Sequence, residues 1–264
     1  MRTDKRQMYN IIDGHYCLSE MRIVMLGKKG VGKSSVANTI LGEDVFQIGR
    51  TANSETSECR SETRCVDGRD VTLIDMPGLF DTDRPEEELK AEIVKCITEF
   101  SPGPHAFLIV FKVERFTDQE QEVINKINQY FSEEAFKYAT VLFTYGDQLD
   151  EGQTIEQYFH NNHLVSDLMK KCGGRCHVVD NKYWKSNQPY EYRSNQFQVK
   201  QLMKTIDHMI EANKGSCYTN EMLQAVEKLR QEEEEKIRQS PGNKTEDEIR
   251  EEAKKRVFGQ CGIL

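Results

Sequence analysis

The chain has 264 residues, eight cysteines and a formal net charge of -8 at pH 7. That length suits one α/β domain with an extension, and the acidic balance argues against the broad basic surface that binds nucleic acid, so no nucleic-acid partner is expected. The first residues lack the apolar core of a secretory signal, and no later stretch reaches membrane-spanning length. We therefore expect a cytoplasmic protein whose cysteines are reduced thiols.

Short apolar runs alternate with helical patterns along most of the chain. Runs of strand length cover residues 22–26, 71–74, 107–111, 140–143 and 177–179. Helical periodicity covers residues 86–100 and 197–210, and a capping box of Thr117 and Glu120 begins a further helix. This alternation predicts an α/β fold with a mostly parallel central sheet and helices on both faces.

The pattern changes after residue 213. Residues 219–229 keep an apolar stripe, whereas residues 232–235 are all glutamate. We expect a helix that packs on the domain at first and then runs into solvent. Residues 240–243, Ser-Pro-Gly-Asn, should end that helix, and residues 245–258 form a second, charged helical pattern for which partial disorder is expected.

A glycine-rich loop follows the first apolar run and opens a helix through Val36 and Ile40, which is the order expected of a phosphate-binding loop. Backbone N–H groups of such a loop wrap phosphate oxygens, Lys33 would neutralise the β- and γ-phosphates, and Ser34 would offer its hydroxyl to magnesium. The predicted nucleotide contacts in this loop are Gly27, Lys28, Lys29, Gly30, Val31, Gly32, Lys33, Ser34 and Ser35.

An Asp-x-x-Gly box ends the next apolar run. Asp75 can hold magnesium through water, and the N–H of Gly78 can meet the γ-phosphate of a bound triphosphate. Between the two boxes lies a polar stretch, residues 50–64, of the kind that closes over magnesium when GTP is bound. The candidates for the closing residue are Thr51, Thr56 and Thr63.

The choice of base is expected to lie in residues 144–147, after the apolar run that ends at residue 143. A carboxylate at Asp147 only accepts hydrogen bonds, so it can pair with both N–H groups on the edge of guanine, which adenine lacks. Thr144 and Tyr145 depart from the Asn-Lys-x-Asp pattern, and Tyr145 could stack on the base instead, beside Gly146. Asn181, after the next apolar run, is a further candidate for contact with the base.

Several short motifs occur together in this chain. They are Ser54-x-Thr56-x-x-Cys59, residues 75–81 (Asp-Met-Pro-Gly-Leu-Phe-Asp), residues 101–106 (Ser-Pro-Gly-Pro-His-Ala) with Arg115-Phe116-Thr117 after them, and residues 218–222 (Tyr-Thr-Asn-Glu-Met). In this combination the chain resembles the GIMAP family of immunity-associated GTPases. The resemblance implies a P-loop NTPase G domain over residues 21–213, an N-terminal arm of residues 1–20 and a C-terminal helical extension of residues 214–264.

The resemblance also implies a function. It implies binding of GTP or GDP with Mg²⁺, with Thr56 as the magnesium-binding threonine. It further implies a homodimer or oligomer formed across the nucleotide face, in which Arg115 is a catalytic residue that reaches the phosphates of the partner. The helix near residues 219–229 would fold back toward the segment after Asp75.

The activity has alternatives on sequence alone. Leu79 occupies the position where a Gln orients the attacking water in Ras-like proteins, so we expect the isolated monomer to hydrolyse GTP slowly. The alternative is an essentially non-hydrolysing, GTP-dependent scaffold that assembles on membranes or recruits partners. A third interpretation, an ATP-dependent P-loop kinase or transporter ATPase, gives Asp147 no purpose.

Two other groups of residues invite a functional interpretation. Cys172, Cys176 and His177, with His160 and His163, could form a zinc set, but their spacing favours a turn before a strand, so no zinc is expected. The residues from Cys261 onward read Cys-Gly-Ile-Leu, which fits a prenylation box. Membrane association through Cys261 is therefore a hypothesis.

Overall fold

The computed structural model of the chain describes residues 10–12, 15–48, 59–76, 86–184, 191–240 and 242–261. The expectations for Thr51, Thr56, Gly78 and Leu79 lie outside the described residues. Within the described part, no helix is both long enough and apolar enough to span a bilayer.

In the described part of the chain, seven strands form the central sheet. Their order across the sheet is β3-β4-β2-β5-β6-β7, and β1 pairs with β2 beside this path. Strands β2, β4, β5, β6 and β7 run parallel, whereas β3 is antiparallel to β4. The strands are β1 (Asn10–Ile12), β2 (His15–Leu26), β3 (Arg60–Val66), β4 (Arg69–Asp75), β5 (Ala106–Lys112), β6 (Ala139–Thr144) and β7 (Cys176–Val178). The predicted mostly parallel sheet is confirmed.

Helices cover both faces of this sheet. They are α1 (Lys33–Leu41), α2 (Glu86–Phe100), α3 (Asp118–Phe131), α4 (Ile155–Tyr158), α5 (His163–Lys171), α6 (Asn195–Ala212), α7 (Glu221–Arg238) and α8 (Glu246–Cys261). Along β5, Phe107 and Ile109 join a cluster with residues of α2 and α3, whereas Leu108 and Val110 join a cluster with residues of α1 and α6. This alternation is what a parallel sheet buried on both faces requires.

The helix predicted to follow Thr117 begins there. The Thr117 side chain accepts a hydrogen bond from the amide of Gln119, and the Glu120 carboxylate accepts one from the amide of Thr117 at 2.8 Å, which completes the capping box. Glu120 also accepts a hydrogen bond at 2.8 Å from Lys28 of the glycine-rich loop. Burial alone would raise the pKa of Glu120, but the hydrogen bonds from Lys28 and Thr117 outweigh it and lower the pKa. The start of α3 is thereby tied to that loop.

The polar stretch of residues 50–64 is not wholly a loop, because its last residues belong to β3. Thr63 lies inside this strand, and its hydroxyl is 2.8 Å from that of Thr72 on β4. Strand β3 lies at the edge of the sheet and is only partly buried along its length. A polar sequence can form such a strand because β3 has only one neighbour among the described strands and its side chains stay partly exposed.

The interpretation of a C-terminal helix running into solvent is wrong. Glu233 and Glu234 of α7 are buried, at 4% and 8% exposed, because α8 folds back beside them. Glu233 accepts a hydrogen bond from Lys236 at 2.6 Å and lies 3.6 Å from Arg256 of α8, and Glu234 pairs with Arg230 of its own helix. Charge pairing within a helical hairpin therefore replaces the apolar stripe.

Candidate nucleotide-binding site

The glycine-rich loop lies at the carboxyl end of β2, between that strand and α1. Gly30 and Gly32 have φ values of 79° and 93°, which favour glycine. A Cβ on Gly32 would come 2.7 Å from the side-chain nitrogen of Asn181, and one on Gly27 would come 2.5 Å from the carbonyl oxygen of Val110. The loop is therefore packed tightly between two neighbouring segments.

Three predicted phosphate and metal residues meet beside this loop. The ammonium of Lys33, only 8% exposed, donates to the carbonyl oxygens of Gly27 at 2.9 Å and Lys28 at 3.2 Å. The Ser34 hydroxyl donates to one carboxylate oxygen of Asp75 at 2.9 Å. The other Asp75 oxygen lies 3.9 Å from Lys33. Residues that are distant in sequence thus form one polar cluster at the ends of β2 and β4.

The chemistry of this cluster fits a magnesium ion. Asp75 is 1% exposed, and its Oδ1 atom is buried without a hydrogen-bond partner in the described part of the chain. The unpartnered carboxylate oxygen of Asp75 and the nearby Ser34 hydroxyl are both hard oxygen ligands, the type that Mg²⁺ prefers. Burial of a carboxylate oxygen without a hydrogen-bond donor is costly, so an ion here would offset that cost.

The predicted base residues lie at the carboxyl ends of β6 and β7. Gly146 is held by a hydrogen bond from its amide to the Val179 carbonyl at 3.0 Å, and Trp184 packs so closely that a Cβ on Gly146 would meet its ring at 2.6 Å. Trp184, 5% exposed, thus packs on the domain. The Oδ1 atom of Asn181 is buried without a hydrogen-bond partner among the described residues.

Asp180, for which we predicted no role from the sequence, organises the segments after β6 and β7. It is 1% exposed, and its carboxylate accepts hydrogen bonds from the amides of Lys182 at 2.9 Å and Asp147 at 3.3 Å, and from the amide of Tyr183. Asn195 on α6 donates to the Asp180 carbonyl oxygen at 2.6 Å and accepts from its amide at 3.0 Å. An Asp-Asn pair directly after a predicted strand was the available sequence signal.

The two carboxylates of this loop titrate differently. Burial raises the pKa of Asp147, and so do its contact with Asp180 and the negative charge there. Burial would also raise the pKa of Asp180, but the amide of Tyr183, the contact with Asp147 and the amide of Lys182 outweigh it and lower the pKa. Asp147 is therefore the group that gains a proton first, and hydrogen-bond donors supplied by a ligand would stabilise its ionised form.

Thr144 begins the base loop, which is the name used here for residues 144–147, and connects it to the phosphate loop. Its buried hydroxyl lies 2.7 Å from the Val31 carbonyl oxygen and 3.1 Å from that of Phe111, and donates to the nearer one. Its carbonyl oxygen accepts from the amide of Val113 at 2.9 Å. Thr144, at the position where the pattern has Asn, therefore bonds to the phosphate loop.

We expect Thr144→Val to lower the free energy of unfolding by about 1–3 kcal/mol, because the Val31 carbonyl would lose its buried donor. Thr140→Val is a matched control on β6, since the Thr140 hydroxyl is 0% exposed and has no hydrogen-bond partner among the described residues. That control should be neutral or stabilising. Urea unfolding of both variants measures the difference, and equal effects would contradict the assigned role of Thr144.

Tyr145 stands where a cation was expected by pattern. Its residue has φ of 60°, its side chain is 44% exposed, and the ammonium of Lys112 lies 5.3 Å from the ring centroid. Lys112 ends β5 opposite Thr144 on β6. A cation over one face of the ring is a favourable contact, so a positive charge is present at this edge although residues 144–147 carry none.

Arg115 precedes α3 and is exposed. The structure gives it no hydrogen bond or ion pair within the described part of the chain. Nearby, Lys28 is engaged by Gln119 and Glu120 at 3.0 Å and 2.8 Å, whereas Lys29 is exposed. Among the described residues, Arg115 therefore has no hydrogen-bond or ion-pair partner at the start of α3.

The imagined zinc set does not assemble in the described residues, where no group of three or more metal-binding side chains lies together. Cys172 is buried, Cys176 donates to Glu156 at 3.3 Å, and the His177 ring lies 2.9 Å from the Thr205 hydroxyl. Burial lowers the pKa of His177 to about 4. Cys261 ends α8, and the residues after it lie outside the described part.

Comparison with known proteins agrees with this fold. A solved structure of the chloroplast translocon components atToc33 and psToc159, for which dimerization is important for GTPase activity, superposes with a TM-score of 0.55 at 20% identity, covering 72% of this chain and 82% of that one. The fold is that of a P-loop GTPase G domain. The AIG1 family model matches residues 21–239. The chain belongs to the AIG1 family, and its resemblance to the GIMAP GTPases is confirmed.

Two relatives illustrate the match. Immune-associated nucleotide-binding protein 10 of Arabidopsis thaliana is 32% identical over 222 residues, which are 82% of this chain and 46% of that protein. GTPase IMAP family member 8 of Mus musculus is 33% identical over 189 residues, which are 70% of this chain and 26% of that protein. The chain thus spans less than half the length of each.

Proposed function

We propose that this chain binds GTP and GDP with Mg²⁺ and hydrolyses GTP slowly, at a rate that dimerisation across the nucleotide face increases. The observation that carries the proposal is the contact of Ser34 with Asp75, with an orphaned carboxylate oxygen and Lys33 beside it. Phosphate oxygens would pair with the Lys33 ammonium of this cluster, and a divalent cation would bind its unpartnered carboxylate oxygen. The relatives named above as nucleotide-binding proteins and GTPases support the same assignment.

Each group has a proposed part in binding. Lys33 would exchange its two carbonyl contacts for phosphate oxygens, and the amides of the loop would donate to the same oxygens. Ser34 and Asp75 would hold Mg²⁺, which when bound neutralises charge on the phosphates. Asp147 would accept from both N–H groups of guanine, beside Asn181.

The Lys33→Met variant should lose about 10²-fold in affinity for GDP, because a buried charge-assisted contact to phosphate disappears while the side-chain length is kept. Fluorescent GDP titrations give the affinity. Lys204→Met, an exposed position on α6, is the matched control and should bind as the parent does. Equal affinities for all three proteins would remove Lys33 from the site.

The identity of the base is tested by competition. GTP should displace labelled GDP at concentrations where ATP does not, since Asp147 offers an acceptor and adenine has no matching pair of donors. Equal displacement by ATP would restore the kinase or transporter-ATPase interpretation.

Slow hydrolysis by the monomer follows from Leu79, whose apolar side chain cannot orient water. The exposed Arg115 would act on a second protomer. Dimerization is important for the GTPase activity of atToc33 and psToc159, and we propose the same dependence of hydrolysis on dimerisation for this chain. A second protomer would bring its Arg115 to the phosphates of the first.

Molecular mass measured with GDP and with a non-hydrolysable GTP analogue tests the assembly. We expect the analogue alone to produce a dimer and the turnover per molecule to rise with protein concentration. A mass that is the same with both nucleotides, with GTP left intact by concentrated protein, would favour the non-hydrolysing scaffold.

A further inference from the structure

Two cysteines meet where the start of β3 crosses α2. The amide of Cys59, directly before β3, donates to the Glu92 carboxylate at 2.6 Å, and the Ser61 hydroxyl donates to the Glu99 carboxylate at 3.3 Å. Glu92 and Glu99 precede and follow Cys96 by one helical turn on the same face of α2. Segment 59–61 therefore lies along the helix face that carries Cys96.

The two cysteines belong to one packed region of the core. Cys96 is 0% exposed, and Cys59, half-buried, packs against the cluster that contains it. Burial, followed by the nearby Cys59 side chain, raises the pKa of the Cys96 thiol. Cys59 is the thiol that a small reagent reaches first.

The other described cysteines differ from this pair. Cys172 and Cys176 are near in sequence, but the Cys176 thiol donates to Glu156 at 3.3 Å. Cys65 is exposed on β3, six residues after Cys59. Among the described side chains no disulfide is present, and Cys59 and Cys96 come from two separate elements of the fold.

We propose that Cys59 and Cys96 form a reversible intramolecular disulfide when the protein meets hydrogen peroxide. The Cys59 sulfur attacks one peroxide oxygen, the O–O bond breaks, and the products are a sulfenic acid and water. The Cys96 sulfur then attacks the sulfenic sulfur, the S–S bond forms, and the hydroxyl leaves with the Cys96 proton as a second water. Two thiols are oxidised, and one peroxide is reduced to two waters.

This bond would disturb the cluster at Asp75. A disulfide needs its sulfurs about 2.05 Å apart, well inside the separation of two unbonded sulfurs, so closing the bond would shift the start of β3 relative to α2. Arg60, next to Cys59, is the register partner of Asp75. Because Mg²⁺ demands near-ideal geometry, we expect the oxidised protein to release GDP about threefold faster, a consequence that rests on the proposed function.

Peptide mapping tests the bond itself. Full-length protein is treated with peroxide, alkylated and digested, and the expected product is a Cys59–Cys96 cross-linked peptide that dithiothreitol removes. Cys59→Ser and Cys96→Ser should each abolish it, and Cys65→Ser should retain it. If both thiols are alkylated after peroxide treatment, or if Cys59 is found joined to another cysteine or another chain, the disulfide is ruled out.

Release of fluorescent GDP in the presence of Mg²⁺ tests the link to the site. Faster release on oxidation in the parent, but not in Cys59→Ser, supports the link, and unchanged release from cross-linked protein overturns it. Failure of the reduced protein to bind GDP would instead count against the proposed function, while the peptide map would still decide the disulfide.

Discussion

Arg115→Ala should lower the turnover of concentrated protein by about 10³-fold, because an arginine supplied in trans stabilises charge on the transferred phosphoryl group by that order. Its affinity for GDP should not change, since the arginine would act on the phosphates of the partner. Phosphate release followed over a range of protein concentrations gives the effect. Arg115→Lys should recover little, because an ammonium lacks the planar fork of a guanidinium.

Arg250→Ala provides the control for this variant, as an exposed arginine on α8. It should keep the concentration dependence of the parent. Turnover per molecule that is flat with concentration in the parent, or that survives in Arg115→Ala, would leave Arg115 as an ordinary exposed side chain.

The second large effect is expected for Asp147→Asn, which should lose about 10³-fold in affinity for guanine nucleotides, because an amide presents a donor where guanine also presents donors. Xanthine carries an oxygen where guanine carries its amino group, so xanthosine nucleotides should bind the variant more tightly than they bind the parent. Competition of GDP and xanthosine diphosphate against one labelled nucleotide measures both changes.

Asp150→Asn is the matched control for that exchange, because Asp150 is exposed in the same loop and its amide is capped by Gln153 at 3.1 Å. It should leave the preference for guanine unaltered. If the Asp147 variant keeps the parent's preference, the base is read elsewhere, and Asn181 becomes the first residue to test.

The part of the site that could be predicted depends on contiguous motifs. A strand, glycines, Lys33 and Ser34 occur in one stretch, and Asp75 ends the neighbouring strand, so parallel pairing of β2 and β4 brings them together without further information. The alternation of short apolar runs with helical patterns likewise predicted the sheet, because each of these patterns lies within one contiguous stretch of sequence. Local patterns suffice where the partner of each residue is set by strand order.

Other features depend on contacts that no local pattern encodes. The bond from Thr144 to Val31 and the position of Lys112 over Tyr145 follow from the packing of β5 and β6 against the phosphate loop. Strand β3 was missed because an edge strand can be polar. Buried Glu233 was missed because its partner Arg256 lies on another helix.

The charge-paired hairpin of α7 and α8 gives the molecule two layers with different physical responses. Arg238 bonds to Glu246 at 2.8 Å across the hairpin, and Lys254 lies 3.4 Å from Glu99 of α2, whereas a small apolar cluster of Ile237, Ile249 and Ala253 lies inside the hairpin. Dissolved ions screen such partly exposed pairs but leave apolar burial intact. Rising ionic strength should therefore loosen the charge-paired part of the hairpin, while Leu223, Val226 and Val257 stay buried in the core cluster.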